Sequence, residues 1–534
     1  MSSSIGDDHN TGVSEQAPWA SLKRVSRADL LPGDIVRFKS GDTFAGMLRI
    51  NQSGSGRKPI VFTSYGDGNN PIIDGALGVG GDPIAAIFIR DQDHIEISNL
   101  TIRNFRKRSR KGVSDYDSFG IYVKNTGKRI LRGLNFHLLK VEVIFPVLGR
   151  NKFNREAFNN TDVTGIRFET EPPFSLKKVA NTRDIFVHSN LIRRTARFGV
   201  VVRHRASKLG TIRNSLANYD VNFIVLNNRC EDLGGSCVLM HGVFRGLLQG
   251  NTFVRSGAMV EPELSVNRGS GAWFFRSKNI VAQQNTAAFS RGRMDSAGIH
   301  VDFGNENVLV QYNFSYDNEG YGTEILGNNK NIIWRFNISV GDGTRQTGVS
   351  RPEGGKSQHP GRTLHVTDYS RPLRLQSDGV YIYNNTYVIT PNSSPDIELN
   401  GKNIHIWNNL FVVEKNAHLG RNTNIVWSKD DPVDFRGNVF SGSISQKFLG
   451  LDSGAKQANI NFDGDQKNGE SYAISAEQVN RLASDQPVIQ PAFPAAGKGI
   501  FAHISEKAEI DFFGNKIIHL PGFVGAGYKN LSER

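Results

Sequence analysis

The sequence of 534 residues lacks any apolar run near 18 residues and any heptad pattern. These absences exclude a membrane-spanning helix and a coiled coil. Cysteine is almost absent as well, with only Cys230 and Cys237. A framework of several disulfides is therefore excluded. Two alternatives remain for the pair: one short closed loop in an exported protein, or two reduced, buried thiols.

The first residues of the chain are polar and lack the apolar core of a secretory leader. A leader could have been trimmed, or the start codon could have been misplaced. We therefore expect a secreted or periplasmic protein whose leader is absent from this sequence.

Basic residues outnumber acidic ones, 64 to 51, which gives a net charge of +13. This excess favours an anionic partner, or it reflects only a soluble basic surface. Nucleic acid is a poor candidate because the basic residues are not interleaved with aromatic residues along one track. We expect a polysaccharide or oligosaccharide partner, with acidic glycans included. The sequence makes no prediction about oligomeric state.

Asparagine recurs where one β-rich run ends and the next begins. Several intervals are 23 or 24 residues, and one is 48. A fixed period in this range is typical of a solenoid, in which each coil contacts only its neighbours. The recurring residues are Asn99, Asn190, Asn228, Asn251, Asn285, Asn313, Asn337, Asn385 and Asn409.

The repeats suggest three parts. Residues 1–30 are predicted to be an N-terminal segment, residues 31–440 a solenoid, and residues 441–534 a C-terminal cap that protects the last coil from edge pairing. Two insertions interrupt the repeats, near 140–165 and near 340–375. Such insertions usually gather on one face of a solenoid, often the binding face.

Many repeats open with glycine and then alternate apolar and polar residues, as in Gly120-Ile-Tyr-Val-Lys and Gly298-Ile-His-Val-Asp. With the two-residue period of a strand, the first and third residues after the glycine face inward and the others face outward. Parallel strands stacked in this way predict an all-β fold, a right-handed parallel β-helix. Asparagines at equivalent corners would stack as a hydrogen-bonded ladder.

The run from Gly33 to Phe44 resembles the opening of the right-handed β-helix carbohydrate-active proteins. The segments Pro59-Ile-Val-Phe, Pro71-Ile-Ile-Asp-Gly and Asp511-Phe-Phe-Gly-Asn are similar to that group too. The resemblance covers most of the chain and implies the fold. It leaves the reaction open, because lyases, hydrolases, epimerases and tailspikes share this architecture.

Stacking the repeats by their glycines gives an outward row that combines aromatic, acidic and basic side chains. Aromatic rings can stack on sugars, while carboxylates and guanidinium groups bind hydroxyls and acids. We therefore expect a glycan-binding face there. Its predicted substrate-binding residues are Tyr122, Lys124, Arg167, Glu169, Arg203, Arg205, His241 and Trp273.

Asp302 and Glu324 are 22 residues apart on successive coils of this row. Strand spacing places their Cα atoms on the order of 8 Å apart, a separation compatible with retaining or inverting glycosidases. His300 would share the register of Glu324 and alter its proton affinity. The alternative is that outward carboxylates only bond across coils or to loop amides.

The segment from Gly298 to Gly304, followed by Glu324, also resembles the β-helix β-xylosidases. That resemblance implies that Asp302 is the nucleophile and Glu324 the general acid/base. The sequence departs from that family at Phe303, where a tryptophan is usual, and in the stretch after Glu324. We therefore expect a glycoside hydrolase that needs no cofactor.

Two other functions remain open. A polysaccharide lyase would need a base, an acid and a cation for an acidic glycan. The residues that could supply these are Lys124, Arg167, Arg203, Arg205, His241 and His300. Ca²⁺ could assist a lyase, although no acidic cage for it is evident in the sequence. A non-catalytic β-helix could bind glycans on the same face.

Overall fold

The chain folds as an all-β, right-handed parallel β-helix, which confirms the predicted fold class. The structure is a computed structural model. It describes residues 1–78, 82–147, 161–171, 180–205, 216–259, 266–351, 356–370, 373–426, 433–460, 462, 469–475, 478, 481–482, 490–517 and 523–529.

The chain divides into two compact units. Unit 1 comprises Met1–Gly246 and Arg255–Arg268, and unit 2 comprises Leu247–Val254 and Gly269–Arg534. In each unit the strands form three parallel sheets, A, B and C. One coil of the chain contributes one strand to each sheet, so that each sheet grows by one strand per coil.

The strands of unit 1 begin near the N-terminus. In sheet A they are Ile35–Lys39, Ile60–Tyr65, Ile95–Ser98, Leu131–His137, Thr182–His188 and Asp220–Leu226. In sheet B they are Thr43–Ala45, Ile72–Asp74, Thr101–Phe105, Lys140–Phe145, Leu191–Thr195 and Arg229–Leu233. In sheet C they are Leu48–Ile50, Ala85–Arg90, Asp117–Asn125, Asp162–Thr170, Phe198–His204 and Val238–His241.

Two strands, Val243–Gln249 of sheet A and Thr252–Ser256 of sheet B, contain residues of both units. In unit 2, sheet A continues with Lys278–Gln283, Glu306–Gln311, Lys330–Arg335, Ser377–Tyr383, Gly401–Trp407 and Asp434–Arg436. Sheet B contains Thr286–Ala288, Phe314–Tyr316, Ile338–Val340, Thr386–Ile389, Leu410–Val413, Val439–Ser441 and Lys456–Gln457. Sheet C contains Ala272–Phe275, Ile299–Val301, Tyr321–Ile325, Arg362–Val366, Asp396–Leu399 and Thr423–Ile425.

The helices of the described residues are short. Two are α-helical, Leu22–Val25 and Gln446–Leu449. Four are single 3₁₀ turns, Gly75–Leu77, Leu216–Asn218, Gly469–Tyr472 and Gly499–Phe501. A separate parallel pair joins Ile474–Ser475 to Tyr528–Lys529. In the part of the chain that the structure describes, no helix has the length and apolar character needed to cross a membrane.

The predicted alternation is confirmed on the inner face of sheet C. Ile121 and Val123 in unit 1 and Ile299 and Val301 in unit 2 are buried among the coils. The glycine that opens each of these strands is required by close packing. A Cβ atom on Gly120 would lie 2.5 Å from the carbonyl oxygen of the next coil, closer than real Cβ contacts allow.

The asparagine ladder is present and buried. In unit 2, the side-chain oxygen of Asn337 accepts from the backbone N–H of Asn313 at 3.0 Å and from its amide at 2.9 Å. Asn337 in turn donates to Asn385 in the same two ways, each at 3.0 Å. Each ladder asparagine thus satisfies corner groups of the backbone that have no partner in the sheets.

The residue before each ladder asparagine turns the corner in the left-handed conformation, as Asn384 does at φ 53°. The prediction is wrong for Asn99, which has φ 55° and occupies this preceding position. Leu100 stands at the ladder position instead, because its carbonyl accepts from Lys140, which begins the next strand of sheet B. Asparagine tolerates the left-handed region better than most residues, so it is found at both positions.

The segments outside the repeats pack on the coils of their own unit. In unit 1, Leu22 and Val25 are buried, and the N-terminal amine donates to the carbonyl of Arg37 at 2.8 Å. In unit 2, the segment after residue 441 lies along several coils: the Tyr312 hydroxyl donates to the Ile510 carbonyl at 2.9 Å, and the Gly525 N–H donates to Asn408.

The structure describes the second insertion and the cysteine pair, but only part of the first insertion. Residues 148–160 of the first insertion lie outside the described residues. The second insertion contains a strand of sheet C, Arg362–Val366, and so contributes to a coil. Cys230 and Cys237 form a disulfide whose Cα atoms lie 6.0 Å apart. Of the two alternatives for the cysteines, the structure shows the closed loop.

Replacing Asn337 by alanine tests the ladder. Asn337→Ala leaves the buried N–H of Asn313 without its acceptor, so we expect the free energy of unfolding to fall by about 3 kcal/mol. Chemical denaturation measures it. Asn424→Ala is the matched control, because Asn424 is exposed on its strand. Equal effects of the two substitutions would contradict a stabilising ladder.

Candidate active site

Five side chains on successive coils of unit 2 form one outward-facing row on sheet C. Strand pairing brings each into register with the next. Paired residues on adjacent strands lie about 4.8 Å apart, so neighbouring side chains can contact each other. We call this set the polar row; its members are Trp273, His300, Glu324, His365 and Glu398.

His300 and Glu324 form the centre of the polar row. The two residues are Cα partners in the register predicted from the sequence. Nδ1 of His300 lies 3.5 Å from a carboxylate oxygen of Glu324, and the side chains are only 5% and 2% exposed. The indole of Trp273 stacks on the imidazole at 6.1 Å. The two side chains therefore form a buried carboxylate–imidazole dyad on the outward face of sheet C.

Asp295 joins this dyad from the loop before the strand. Its carboxylate, a nitrogen of His300 and an oxygen of Glu324 lie within 4.8 Å of one another. The backbone is left-handed at Asp295 (φ 51°) and at Ser296 (φ 70°), a costly conformation that the surroundings must hold. Arg345 supplies part of that support by donating to the Asp295 carbonyl at 2.9 Å.

Asp295 was missed by sequence reasoning. The two-residue period identifies outward positions only within strands, and Asp295 lies in a loop. Its one signal is its place three residues before Gly298, the glycine that opens the strand. Unlike the buried dyad, Asp295 is only half-buried.

Asp302 lies one residue beyond the strand Ile299–Val301, on the same face as His300. Its carboxylate accepts from the N–H of Phe303 at 2.8 Å, and its own N–H donates to the Phe274 carbonyl at 3.0 Å. Asp302 is half-buried, like Asp295. Two half-buried carboxylates therefore lie near the buried His300–Glu324 dyad: Asp295 within 4.8 Å of its polar atoms, and Asp302 two residues after His300 on the same face.

The next coils extend the polar row with a second histidine–carboxylate pair. Nδ1 of His365 lies 3.1 Å from Glu398, and Nη2 of Arg362 lies 3.2 Å from the same oxygen. Burial alone would raise the pKa of Glu398, but the bond from His365 and the charges of His365 and Arg362 lower it. Burial lowers the pKa of His365, whose ring stacks on Tyr321 at 4.4 Å. Sequence reasoning missed this pair because His365 lies within the second insertion, which interrupts the repeat.

The remaining predicted substrate-binding residues lie in unit 1, on or directly after strands of sheet C. Strand pairing places Lys124 beside Glu169, Glu169 beside Arg203, and Arg203 beside His241. His241 therefore belongs to the outward row of sheet C in unit 1, as the sequence suggested. The full set is Tyr122, Lys124, Arg167, Glu169, Arg203, Arg205 and His241.

Glu169 is the centre of an ion-pair network in this set. It accepts from the Tyr122 hydroxyl at 2.7 Å, from Arg205 at 2.5 Å and from Arg167 at 3.3 Å. Burial alone would raise the pKa of the Glu169 carboxyl, but the charges of Arg167 and Arg205 hold it far below its ordinary value. Arg167 is fully buried.

The other cations of this row have carboxylate partners too. Asp162 lies 3.0 Å from Arg167 and 3.2 Å from Arg203, and Lys124 lies 2.7 Å from Glu171. Burial lowers the pKa of Arg203 to about 10. A buried cation is tolerable when it is paired, and these pairs give the row a structural role in unit 1.

The cluster of Asp295, His300 and Glu324 has the residue types of a metal site. Two carboxylates and one imidazole do not complete the shell of Ca²⁺, which takes about 6–8 oxygen ligands. The expectation that the protein needs no cofactor stays a prediction.

Comparisons with known proteins find that the chain is similar to glycan-degrading enzymes. No protein-family model matches the chain. The chain is 25% identical to a lacto-N-biosidase of Bifidobacterium longum subsp. longum, over 93% of this chain and 36% of that protein. The chain thus spans about a third of the length of this relative.

Solved structures give the same relationship at the level of the fold. The chain is similar to the GH136 lacto-N-biosidase from Eubacterium ramulus, with a TM-score of 0.53 and 20% identity, over 81% of this chain and 67% of that chain. The native form of that enzyme gives a TM-score of 0.52 and 19% identity over the same shares. These likenesses support the β-helix.

Removing the charge of Glu169 tests the structural role of the network in unit 1. Glu169→Gln leaves the buried Arg167 and the partly exposed Arg205 short of a partner, so we expect a loss of about 3 kcal/mol in the free energy of unfolding, mostly through Arg167. Glu231→Gln is the control, because its pair with Arg229 is near the surface and contributes about 1 kcal/mol or less. Denaturant unfolding measures both, and an unchanged stability of Glu169→Gln would contradict the structural role.

Proposed function

We propose that the chain is a glycoside hydrolase that cleaves oligosaccharides at the polar row of unit 2. The observation that carries the proposal is that two half-buried carboxylates lie near a buried histidine–glutamate dyad: Asp295 within 4.8 Å of its polar atoms, and Asp302 two residues after His300 on the same face. Glycosidases use two carboxyl groups that flank the scissile bond. The similarity to a lacto-N-biosidase supports the same reaction class.

Exposure distinguishes the roles of the three carboxylates. A nucleophile must reach the anomeric carbon, and a general acid must reach the glycosidic oxygen. Asp295 and Asp302 are accessible, whereas the side chain of Glu324 is 2% exposed. We therefore assign the nucleophile to Asp302, as the sequence predicted. We assign the general acid/base to Asp295, in place of the Glu324 assignment that the sequence resemblance implied.

With these two roles, the reaction we propose is a double displacement with retention. The Asp302 carboxylate attacks the anomeric carbon while Asp295 protonates the leaving oxygen, and a glycosyl–enzyme ester forms. Asp295 then takes a proton from water, which attacks the anomeric carbon and releases Asp302. Nδ1 of His300 lies 3.5 Å from the Glu324 carboxylate, so the dyad holds an imidazole beside Asp295 and sets the charge that Asp295 experiences.

A glycan that carries a lacto-N-biose unit is the substrate we propose, because the curated relative is a lacto-N-biosidase. An acidic glycan is not required, since Arg167, Arg203, Arg205 and Lys124 already pair with carboxylates. The same pairing weakens the lyase alternative, which needs a cation at the substrate's acid. The disulfide supports our proposal that the protein acts outside the cytoplasm.

Three variants test the assignment on two substrates, a lacto-N-biose-bearing oligosaccharide and an aryl glycoside of lacto-N-biose with a good leaving group. Asp302→Asn should lose at least about 10³-fold on both, because the nucleophile is absent. Asp295→Asn should lose about 10²–10⁴-fold on the oligosaccharide but far less in the first turnover of the aryl glycoside, which needs no acid. Azide should restore part of the activity that Asp295→Asn loses on the aryl glycoside.

Glu324→Gln should reduce both reactions by a smaller, equal factor, because a positioning residue affects both leaving groups alike. If Glu324→Gln instead shows the substrate-dependent loss and azide rescue, the acid/base is Glu324. Full activity in all three variants would overturn the proposed site. Binding without turnover by the unmodified protein would favour the non-catalytic alternative.

A further inference from the structure

A second row of side chains lies directly beyond the polar row, at the level of Asp302. Backbone hydrogen bonds continue the strand pairing past the named strands: the Asp302 N–H donates to Phe274, and the Leu326 N–H donates to Val301 at 2.9 Å. This pairing places Phe275 on one side of Asp302 and Leu326 on the other. One catalytic carboxylate therefore sits in an apolar row.

Phe303 enlarges this apolar surface from the turn after Asp302. Its ring meets the ring of Phe275 edge to face, with centroids 4.5 Å apart. Phe275 in turn contacts Trp273 of the polar row at 6.4 Å, again nearly perpendicular. The three rings form a continuous aromatic strip that runs from the level of His300 to beyond Asp302.

Arg276 completes the strip. Its guanidinium lies 5.3 Å from the ring centroid of Phe275 and 5.9 Å from that of Phe303, in the range of cation–π contacts. Burial lowers the pKa of Arg276, and the charge of Asp302 opposes that effect. Phe275, Arg276 and Phe303 are each half-buried, so one side of each can face a ligand.

The direction of the strand orients this strip relative to the reaction. Asp295 lies before the strand Ile299–Val301, Asp302 lies after it, and Phe303 lies further in the same direction. The general acid marks the side of the leaving group. The aromatic strip lies at and beyond the level of Asp302, further along the strand than His300 and Glu324, which Asp295 contacts. We place the released end of the glycan there.

We propose that Phe275, Phe303 and Arg276 form a platform for the second sugar of the released end, the one next to the sugar attached to Asp302. The apolar face of the ring would stack on Phe275 and Phe303, and Arg276 would donate to its hydroxyls. The platform makes the enzyme select a disaccharide unit over a monosaccharide unit. This inference rests on the proposed function for the placement of the two ends.

Direct binding tests the platform without turnover. Calorimetry with lacto-N-biose and with N-acetylglucosamine compares two sugars with one in the unmodified protein and in Phe275→Ala and Phe303→Ala. We expect each variant to bind the disaccharide at least tenfold more weakly and the monosaccharide with unchanged affinity. Phe303→Leu, which keeps an apolar side chain, should lose less. Phe289→Ala is the control, because Phe289 is an exposed phenylalanine of unit 2 that packs only on Tyr316 among the ring contacts found.

Equal weakening for both sugars would overturn the platform, since the rings would then shape the pocket of the first sugar. Unchanged disaccharide affinity in both variants, or no disaccharide binding by the unmodified protein, would overturn it too. Thermal unfolding verifies that the variants are folded. The proposed function is tested separately, by hydrolysis in the unmodified protein and its loss in Asp302→Asn. A failure of the platform can therefore be distinguished from a failure of the proposed function.

Discussion

The hydrogen bond from one coil corner to the next is the interaction on which the rest of the structure depends. A corner leaves backbone groups without sheet partners, and burying them unpaired would cost about 1–3 kcal/mol each. An asparagine such as Asn337 satisfies them with one side chain and receives the same bonds from Asn313. The ladder requires every coil of the unit to hold the same register. That register decides which side chains share the outward face of sheet C.

The outward face is used differently in the two units. In unit 1, Glu169 and Asp162 neutralise buried arginines, and the charges stabilise the coils. In unit 2, the same face carries the polar row, where a buried dyad of His300 and Glu324 lies near two accessible carboxylates. The two units differ in the groups that a substrate could reach. The charged side chains of unit 1 pair with each other, whereas unit 2 presents two carboxylates to solvent.

Period and register could be predicted from the sequence, because they depend on local patterns. The alternation after Gly298 placed His300 beside Glu324, and the structure pairs them. Features that depend on tertiary context could not be predicted. Asp295 reaches the site through a left-handed loop that no strand period describes. His365 lies within an insertion that interrupts the repeat and hides its pairing with Glu398. The burial of Arg167 by ion pairs leaves no sequence signature.

The central claim is that Asp295 and Asp302, beside the polar row, hydrolyse a glycosidic bond. Incubating the protein with a lacto-N-biose-bearing oligosaccharide in ¹⁸O-labelled water, followed by mass spectrometry, tests it directly. Hydrolysis predicts that the released lacto-N-biose carries one ¹⁸O at its reducing end, which is 2 mass units, because water attacks the anomeric carbon. Products without ¹⁸O that carry an unsaturated sugar, or an intact substrate, would contradict the account.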